Sequence, residues 1–128
     1  QGPQSFRLCL IPHDGDWREA DVIGKARRLN FPPNVLFESY HDGKLPAELS
    51  GVSCSAPGVE VSVVKEAEEG KGLVVRACEW FGRPTEARFV IPPIRREWRA
   101  TFTPGQVKTF LVPDQGDQPV REATMLEE

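Results

Sequence analysis

The chain has little with which to do chemistry by itself. Its 128 residues include two histidines and three cysteines. It lacks a Gly-x-Ser-x-Gly elbow, a glycine-rich phosphate loop and a Cys-x-x-Cys pair. The signatures of serine hydrolases, nucleotide binders and thiol redox proteins are therefore missing. "GKG" at Gly70–Gly72 lies between two strand-like segments with no helix behind it, so it reads as a turn. Cys9, Cys54 and Cys78 match no zinc-module spacing. Each lies in an apolar or alternating stretch, where a free thiol behaves as a small hydrophobe. We expect them buried and reduced, which suits a cytoplasmic location. No apolar run nears the ~20 residues that span a bilayer, and no signal-peptide pattern is visible. Neither sign of charge dominates: 16 basic and 19 acidic residues leave a net −3. That excludes a basic footprint for nucleic acid and a polybasic membrane patch.

Proline and glycine, by contrast, are plentiful at 12 and 11 residues. They punctuate short segments, as in all-β domains. "SFRLCLIP" alternates Phe6, Leu8 and Leu10 against Arg7 and Cys9. It reads as a strand ended by Pro12, which cannot donate to a ladder. "WREADVIGKARRLN" is the one good helical candidate, with Ala20, Ile23, Ala26 or Arg27, and Leu29 near helical spacing. Asp16 caps its start, and Glu19 three residues on is the capping-box partner. Gly24 weakens its middle, and Asn30 with "FPP" ends it.

From Asn34 onward the period becomes two. "VLFESY" and "GVSCSA" read as strands. "VEVSVVKEAE" sets Val59, Val61 and Val63 on one face and forms a hairpin with "LVVRACEWF". "EARFVIP" turns Ala87, Phe89 and Ile91 inward, and "REWRATFTP" groups Trp98, Ala100 and Phe102. "QVKTFLVP" and "VREATML" complete the series. About eight or nine strands at roughly ten-residue spacing predict a mostly β fold, an antiparallel β-sandwich with one short helix near the N-terminus. We expect a single domain over residues 1–128, a length that buries about two thirds of the unfolded surface.

The densest polar stretch is "LIPHDGDWREA", Leu10 to Ala20. His13, Asp14, Asp16, Trp17 and Arg18 crowd into it, and "YHDG" at Tyr40–Gly43 repeats its His-Asp-Gly order. The first reading is a turn plus a helix cap, because Asp and Gly suit turn conformations. The second is a polar loop facing a substrate, and the third a His/Asp metal site. Among the tryptophans, Trp98 reads as core, Trp17 as a staple between helix and sheet, and one of Trp80 and Phe81 as exposed at a strand end. Exposed aromatics serve as sugar platforms in carbohydrate-binding modules, but none of the three gives a strong signal of that kind. Arg27-Arg28, Arg95-Arg96 and Glu68-Glu69 read as turn or solvated-face charges without function. An immunoglobulin-type core is disfavoured, since Cys54, Cys78 and Trp80 stand in the wrong order for it.

"FRLCLIPHDGDWREADVIGKARRLNFP" resembles the "Tyr-Ala-Leu-x-Pro-His-x-Gly-Asp-Trp" segment of glycoside hydrolase family 38 α-mannosidases. "VSVVKEAEEGKGLVVRACEWFGRPTEARFVI" resembles that family's "Lys-x-Ala-Glu-x-Gly-x-Gly-Leu-x-Leu-Arg-x-Tyr-Glu" hairpin. "PGQVKTFLVP" and "VREATMLEE" are similar to its later strand and terminus, in the same order. Cys9, Ile11, Trp80 and Gln106 depart from the usual pattern.

The resemblance implies the C-terminal β-sandwich of a larger retaining enzyme, in which two carboxyl groups of another domain act as nucleophile and acid/base. It implies zinc in that missing catalytic domain and no cofactor, metal or catalytic residue here. The implied partners are the N-terminal catalytic domain of the same chain and its α-mannoside substrate. The resemblance also leaves room for a homo-oligomer of the full-length enzyme. This part would brace the catalytic domain and lend a loop to the substrate cleft; an independent carbohydrate-binding module is the alternative. The loop residues expected at the cleft are His13, Asp14, Asp16, Trp17 and Arg18.

Overall fold

The structure, a computed structural model, describes residues 2–114 and 116–128. The chain divides into two compact units, Gln1–Lys44 and Leu45–Glu128.

The first unit is built around helix α1 (Val22–Asn30). The helix begins one turn later than its periodicity suggests. Asp21 takes a left-handed conformation, φ 50°, and its carboxylate accepts the Gly24 N–H at 3.2 Å. Aspartate tolerates that region better than most side chains, so it caps α1 and separates it from the turn before. Gly24, read from the sequence as a weak point, makes room for this cap: a side chain there would run into the Asp21 carboxylate. The Phe31 N–H returns to the Arg27 carbonyl at 2.8 Å and closes the helix.

The strands expected in "SFRLCLIP" and "VLFESY" do not form. Alternation supplies a preference for extended backbone, but a strand exists only beside a partner, and neither segment has one among the described residues. Cys9 lies in the first of them and is exposed, contrary to expectation. Cys54 is half-buried and Cys78 buried; all three thiols are free.

The second unit is the β-sandwich. Its strands are β1 (Ser53–Cys54), β2 (Val59–Glu66), β3 (Leu73–Glu79), β4 (Thr85–Ile91), β5 (Arg96–Phe102), β6 (Val107–Val112) and β7 (Arg121–Ala123). One antiparallel sheet has the order β1-β4-β5, the other β2-β3-β6-β7. The expected strand count falls to seven among the described residues because both segments of the first unit drop out. In β4 and β5 the alternation read from the sequence holds. Ala87, Phe89, Ile91 and Phe102 are buried inward, and Trp98 and Ala100 pack against them.

The core is aromatic at its centre. Phe89 stacks on Trp98 with centroids 5.0 Å apart and meets Phe110 of the opposite sheet at 5.5 Å. Each such buried ring contributes about 1.5–3 kcal/mol through burial alone. Trp98 Nε1 is buried with no hydrogen-bond partner among the described residues.

The β2–β3 hairpin forms where expected, with one change of phase. Val61 opposes Ala77 but Val63 opposes Arg76, so a bulge falls at Ser62. Directly opposed residues share a face. Val59 and Val61 therefore point inward, whereas Val63 points outward with Arg76, contrary to the simple alternation. Gly72 closes the hairpin at φ 132°, against β6. Any Cβ there would strike the Val112 carbonyl.

The C-terminal tail fastens to the outer face of the larger sheet. Arg76 donates to Thr109 Oγ1 and to the Met125 carbonyl, each at 3.2 Å. Glu127, at φ 69°, accepts from Lys65 Nζ at 2.5 Å and from the Glu68 N–H at 3.0 Å.

Candidate functional site

The polar stretch singled out from the sequence folds as one compact turn in the first unit. Gly15 at φ 70° bends the chain. Asp16 then gathers its neighbours. Its Oδ1 accepts the backbone N–H of Arg18 at 2.7 Å and of Glu19 at 3.1 Å, and its Oδ2 pairs with Arg18 Nη1 at 2.9 Å. The Asp16 N–H in turn donates to Glu19 Oε2 at 3.3 Å. This is the reciprocal capping box expected from the spacing, closed on a turn that precedes α1. The Glu19 N–H foremost, together with Arg18, holds the Asp16 carboxyl below its ordinary value.

Arg18 also lies over Trp17, with its guanidinium carbon 4.6 Å from the ring centroid. One face of the indole is thus occupied, and Trp17 remains 37% exposed. His13 and Asp14 stand beside the turn and are exposed. His13 Nδ1 is 3.2 Å from the Asp14 carbonyl. The repeated His-Asp-Gly folds in the same way, with His41 Nδ1 3.2 Å from the Asp42 carbonyl. The shared motif is a local turn in which the imidazole is anchored by the next peptide. Asp16, Trp17 and Arg18 are therefore brought together, and His13 and Asp14 border them. Among the described residues, no group of three or more His, Cys, Asp or Glu could hold a metal ion.

Two charged residues in the second unit escaped the sequence reading, and both are buried. Glu79 is fully buried at the end of β3. Its Oε1 accepts the Phe81 N–H at 2.8 Å; its Oε2 accepts those of Gly82 at 2.9 Å and Gly105 at 3.0 Å. Burial pushes its carboxyl up, but the N–H groups of Gly105, Phe81, Gly82 and Arg83 outweigh burial and the net direction is downward. The chain crosses between sheets from β3 to β4 and again from β5 to β6. Glu79 joins these two crossings.

Arg96, read as a solvated charge, is 9% exposed. It donates to the carbonyls of Pro113 at 3.0 Å, Gly116 at 3.1 Å and Gln118 at 2.6 Å. Parity was the available signal for both. Glu79 continues the inward series Val75, Ala77, and Arg96 begins the series Trp98, Ala100, Phe102. The hydrogen bonds described for both side chains go to backbone, which gives both an architectural part.

Of the two aromatics at the end of β3, Trp80 is the exposed one at 49%. Phe81 packs over Gly58 with Arg83 above its ring at 5.3 Å. A cleft of about 270 Å³ lies between the β2–β3 turn and the C-terminal tail, lined by Lys71, Leu73, Arg121, Leu126 and Glu127 among others. In the first unit an open groove of about 560 Å³ separates residues 7–11 from α1. No helix among the described residues is long and apolar enough to cross a membrane.

No family model matches the chain, and no solved structure matches it significantly. Among curated proteins it is similar to "Alpha-mannosidase 2C1" of Mus musculus and of Homo sapiens, 36% identical over 85 residues in each case. That stretch is 63% of this chain. It is also similar to "Alpha-mannosidase G" of Dictyostelium discoideum, 27% identical over 96 residues or 69% of the chain. The matches span 8% of the length of each of these relatives.

Proposed function

From a chain related to α-mannosidases over a stretch that is 8% of their length, we propose the following reading. The chain is a non-catalytic, C-terminal domain of a retaining, zinc-dependent α-mannosidase of the cytoplasm. It braces the catalytic domain and lends the turn from His13 to Arg18 to the substrate cleft. Hydrolysis of the α-mannoside bond belongs to the remainder of the parent polypeptide.

The observation that carries this reading is the division of labour among polar side chains. The buried charges, Glu79 and Arg96, hold backbone, while the densest exposed set of polar and aromatic groups sits on one rigid turn. Rigid turns at the edge of a scaffold suit substrate contact. Within the turn, Asp16 is engaged by Arg18 and Glu19. Hydrogen bonds to sugar hydroxyls therefore fall to His13 and Asp14, and the face of Trp17 away from Arg18 shapes the wall. Three free thiols support a reducing compartment.

The test is turnover of an aryl α-mannoside. The 128-residue chain should be inactive, the full-length parent active, and the parent carrying His13→Ala and Asp14→Ala should lose kcat/KM while keeping its melting temperature. Turnover by the isolated chain would overturn the reading. A second reading, an independent carbohydrate-binding module, is favoured by the exposure of Trp80 alone. Calorimetry with millimolar mannose separates the two, since only the module predicts heat of binding by the isolated chain.

A further inference from the structure

Residues 6–11 carry a pattern that the first unit does not use. Phe6, Leu8 and Leu10 alternate in sequence with Arg7, Cys9 and Ile11 and are 81%, 85% and 95% exposed. No backbone–backbone hydrogen bond involves residues 6–11 among the described residues. Water can satisfy the exposed peptides, but it does not offset a contiguous row of bare apolar side chains. A free row of N–H and C=O groups beside alternating apolar residues is the template for strand addition. There the main chain supplies affinity, and pockets for alternate side chains supply specificity. Pro12 sets the limit of such pairing, because it has no N–H to extend a ladder.

Helix α1 stands across the open groove from this segment. Leu8, Ile11, Val22, Ala26 and Leu29 line it, with Lys25 among them. Arg7 and Lys25 have no ion-pair partner among the described residues. The unit thus presents one half of a strand-and-helix layer: an extended segment with a free backbone, an apolar helix flank and cationic side chains.

We propose that residues 6–11 add as a strand to an open, acidic-flanked sheet edge in the part of the parent polypeptide outside these residues. The proposal rests on the mannosidase-domain reading for the existence of that larger polypeptide. The relatives extend far beyond the matched stretch, which is 8% of their length. The period of two and the free main chain select a sheet edge over a helix-binding groove. Unpartnered Arg7 and Lys25 select carboxylates beside that edge.

Amide hydrogen exchange on the full-length parent and on the 128-residue chain tests the proposal without any variant. In the isolated chain the amides of residues 6–11 should exchange as in an open segment; in the parent they should slow by on the order of a hundredfold or more. Leu8→Ser with Leu10→Ser should remove most of that protection in the parent, and Arg7→Ser should remove less. Fast exchange in the parent overturns the proposal. Protection already present in the isolated chain also overturns it, because pairing would then be internal or between copies. α-Mannosidase turnover of the same parent separates the two readings. Protection in an inactive parent keeps the strand and removes the enzyme assignment; activity without protection does the reverse.

Discussion

The backbone N–H of Gly105 donates to Oε2 of Glu79 at 3.0 Å, across 26 positions of sequence. The same carboxylate holds Phe81 and Gly82. One side chain thereby secures both the route from β3 to β4 and the route from β5 to β6. Each hydrogen bond to a charged group contributes about 1.5–3 kcal/mol, and a buried donor left without its acceptor is costly.

Removing this acceptor should therefore be severe. Glu79→Ala should cost about 3 kcal/mol or more in urea unfolding. Glu79→Gln keeps one acceptor oxygen, turns an NH₂ toward backbone donors, and should also destabilise. The effect should depend on pH in a defined direction. The folded-state value of Glu79 lies below its ordinary 4.5, so its contribution is present above that pH and is lost as pH falls through the folded value. Glu97, held down by Arg88, and Glu127, held down by Lys65, titrate in the same direction. The informative quantity is thus the gap in melting temperature between wild type and Glu79→Gln. It should narrow from about pH 6 to about pH 3; a constant gap would contradict the assignment.

Arg96 makes a second demand on geometry. Its guanidinium reaches three carbonyls in different directions, which a lysine ammonium on a flexible stem does not reproduce. Arg96→Lys should cost about 1–2 kcal/mol and Arg96→Ala more. Limited proteolysis should show faster cleavage near Pro113 and Gln118 in both variants, with the hairpin of β2 and β3 still protected.

Trp98 should behave in the opposite sense. Its indole N–H is buried without a partner among the described residues, a condition that costs about 1–3 kcal/mol. Trp98→Phe removes that donor and retains a ring against Phe89, so it should be nearly neutral, within about 1 kcal/mol. Trp98→Ala leaves a cavity and should cost about 3–5 kcal/mol. Chemical denaturation of the two variants separates the donor from the ring; equal losses would show that the N–H matters to stability.

Asp16 tests the turn in the first unit. Asp16→Ala removes the acceptor for Arg18 and Glu19 and should lower the helical signal at 222 nm, whereas Asp16→Asn retains an acceptor and should keep most of it. An equal fall in both variants would mean that the charge on Asp16, rather than its hydrogen bonds, supports the turn.

Much of the sandwich was legible because inward and outward residues alternate along β4 and β5. Ala87, Phe89 and Ile91 in β4 and the series from Trp98 to Phe102 in β5 point as their spacing requires. Phe6, Leu8 and Leu10 carry an equally clear alternation and form no strand, since pairing depends on an edge that a local pattern does not contain. The change of face within β2 was hidden because Ser62 resembles any outward polar residue. In the candidate site, the three-residue spacing of Asp16 and Glu19 revealed the capping box, a local device. The approach of Arg18 to Trp17 depends on side-chain rotation and left no pattern to read. Glu79 and Arg96 were readable by parity but were passed over, because a charge on an inward position is tolerated only when backbone donors or acceptors converge on it.

The extra residue at Ser62 gives β2 a double allegiance. Upstream of it, valines feed the interior; downstream, the same strand turns Lys65 to the opposite surface, within reach of Glu127. Were Ser62 instead paired in regular register with Arg76, the bulge would vanish, every later residue of β2 would slip by one position and Lys65 would swing inward. The tail would lose the Lys65–Glu127 pair although no residue of the tail had changed. A single spare residue in mid-strand thus governs one of the tethers that hold residues 124–128.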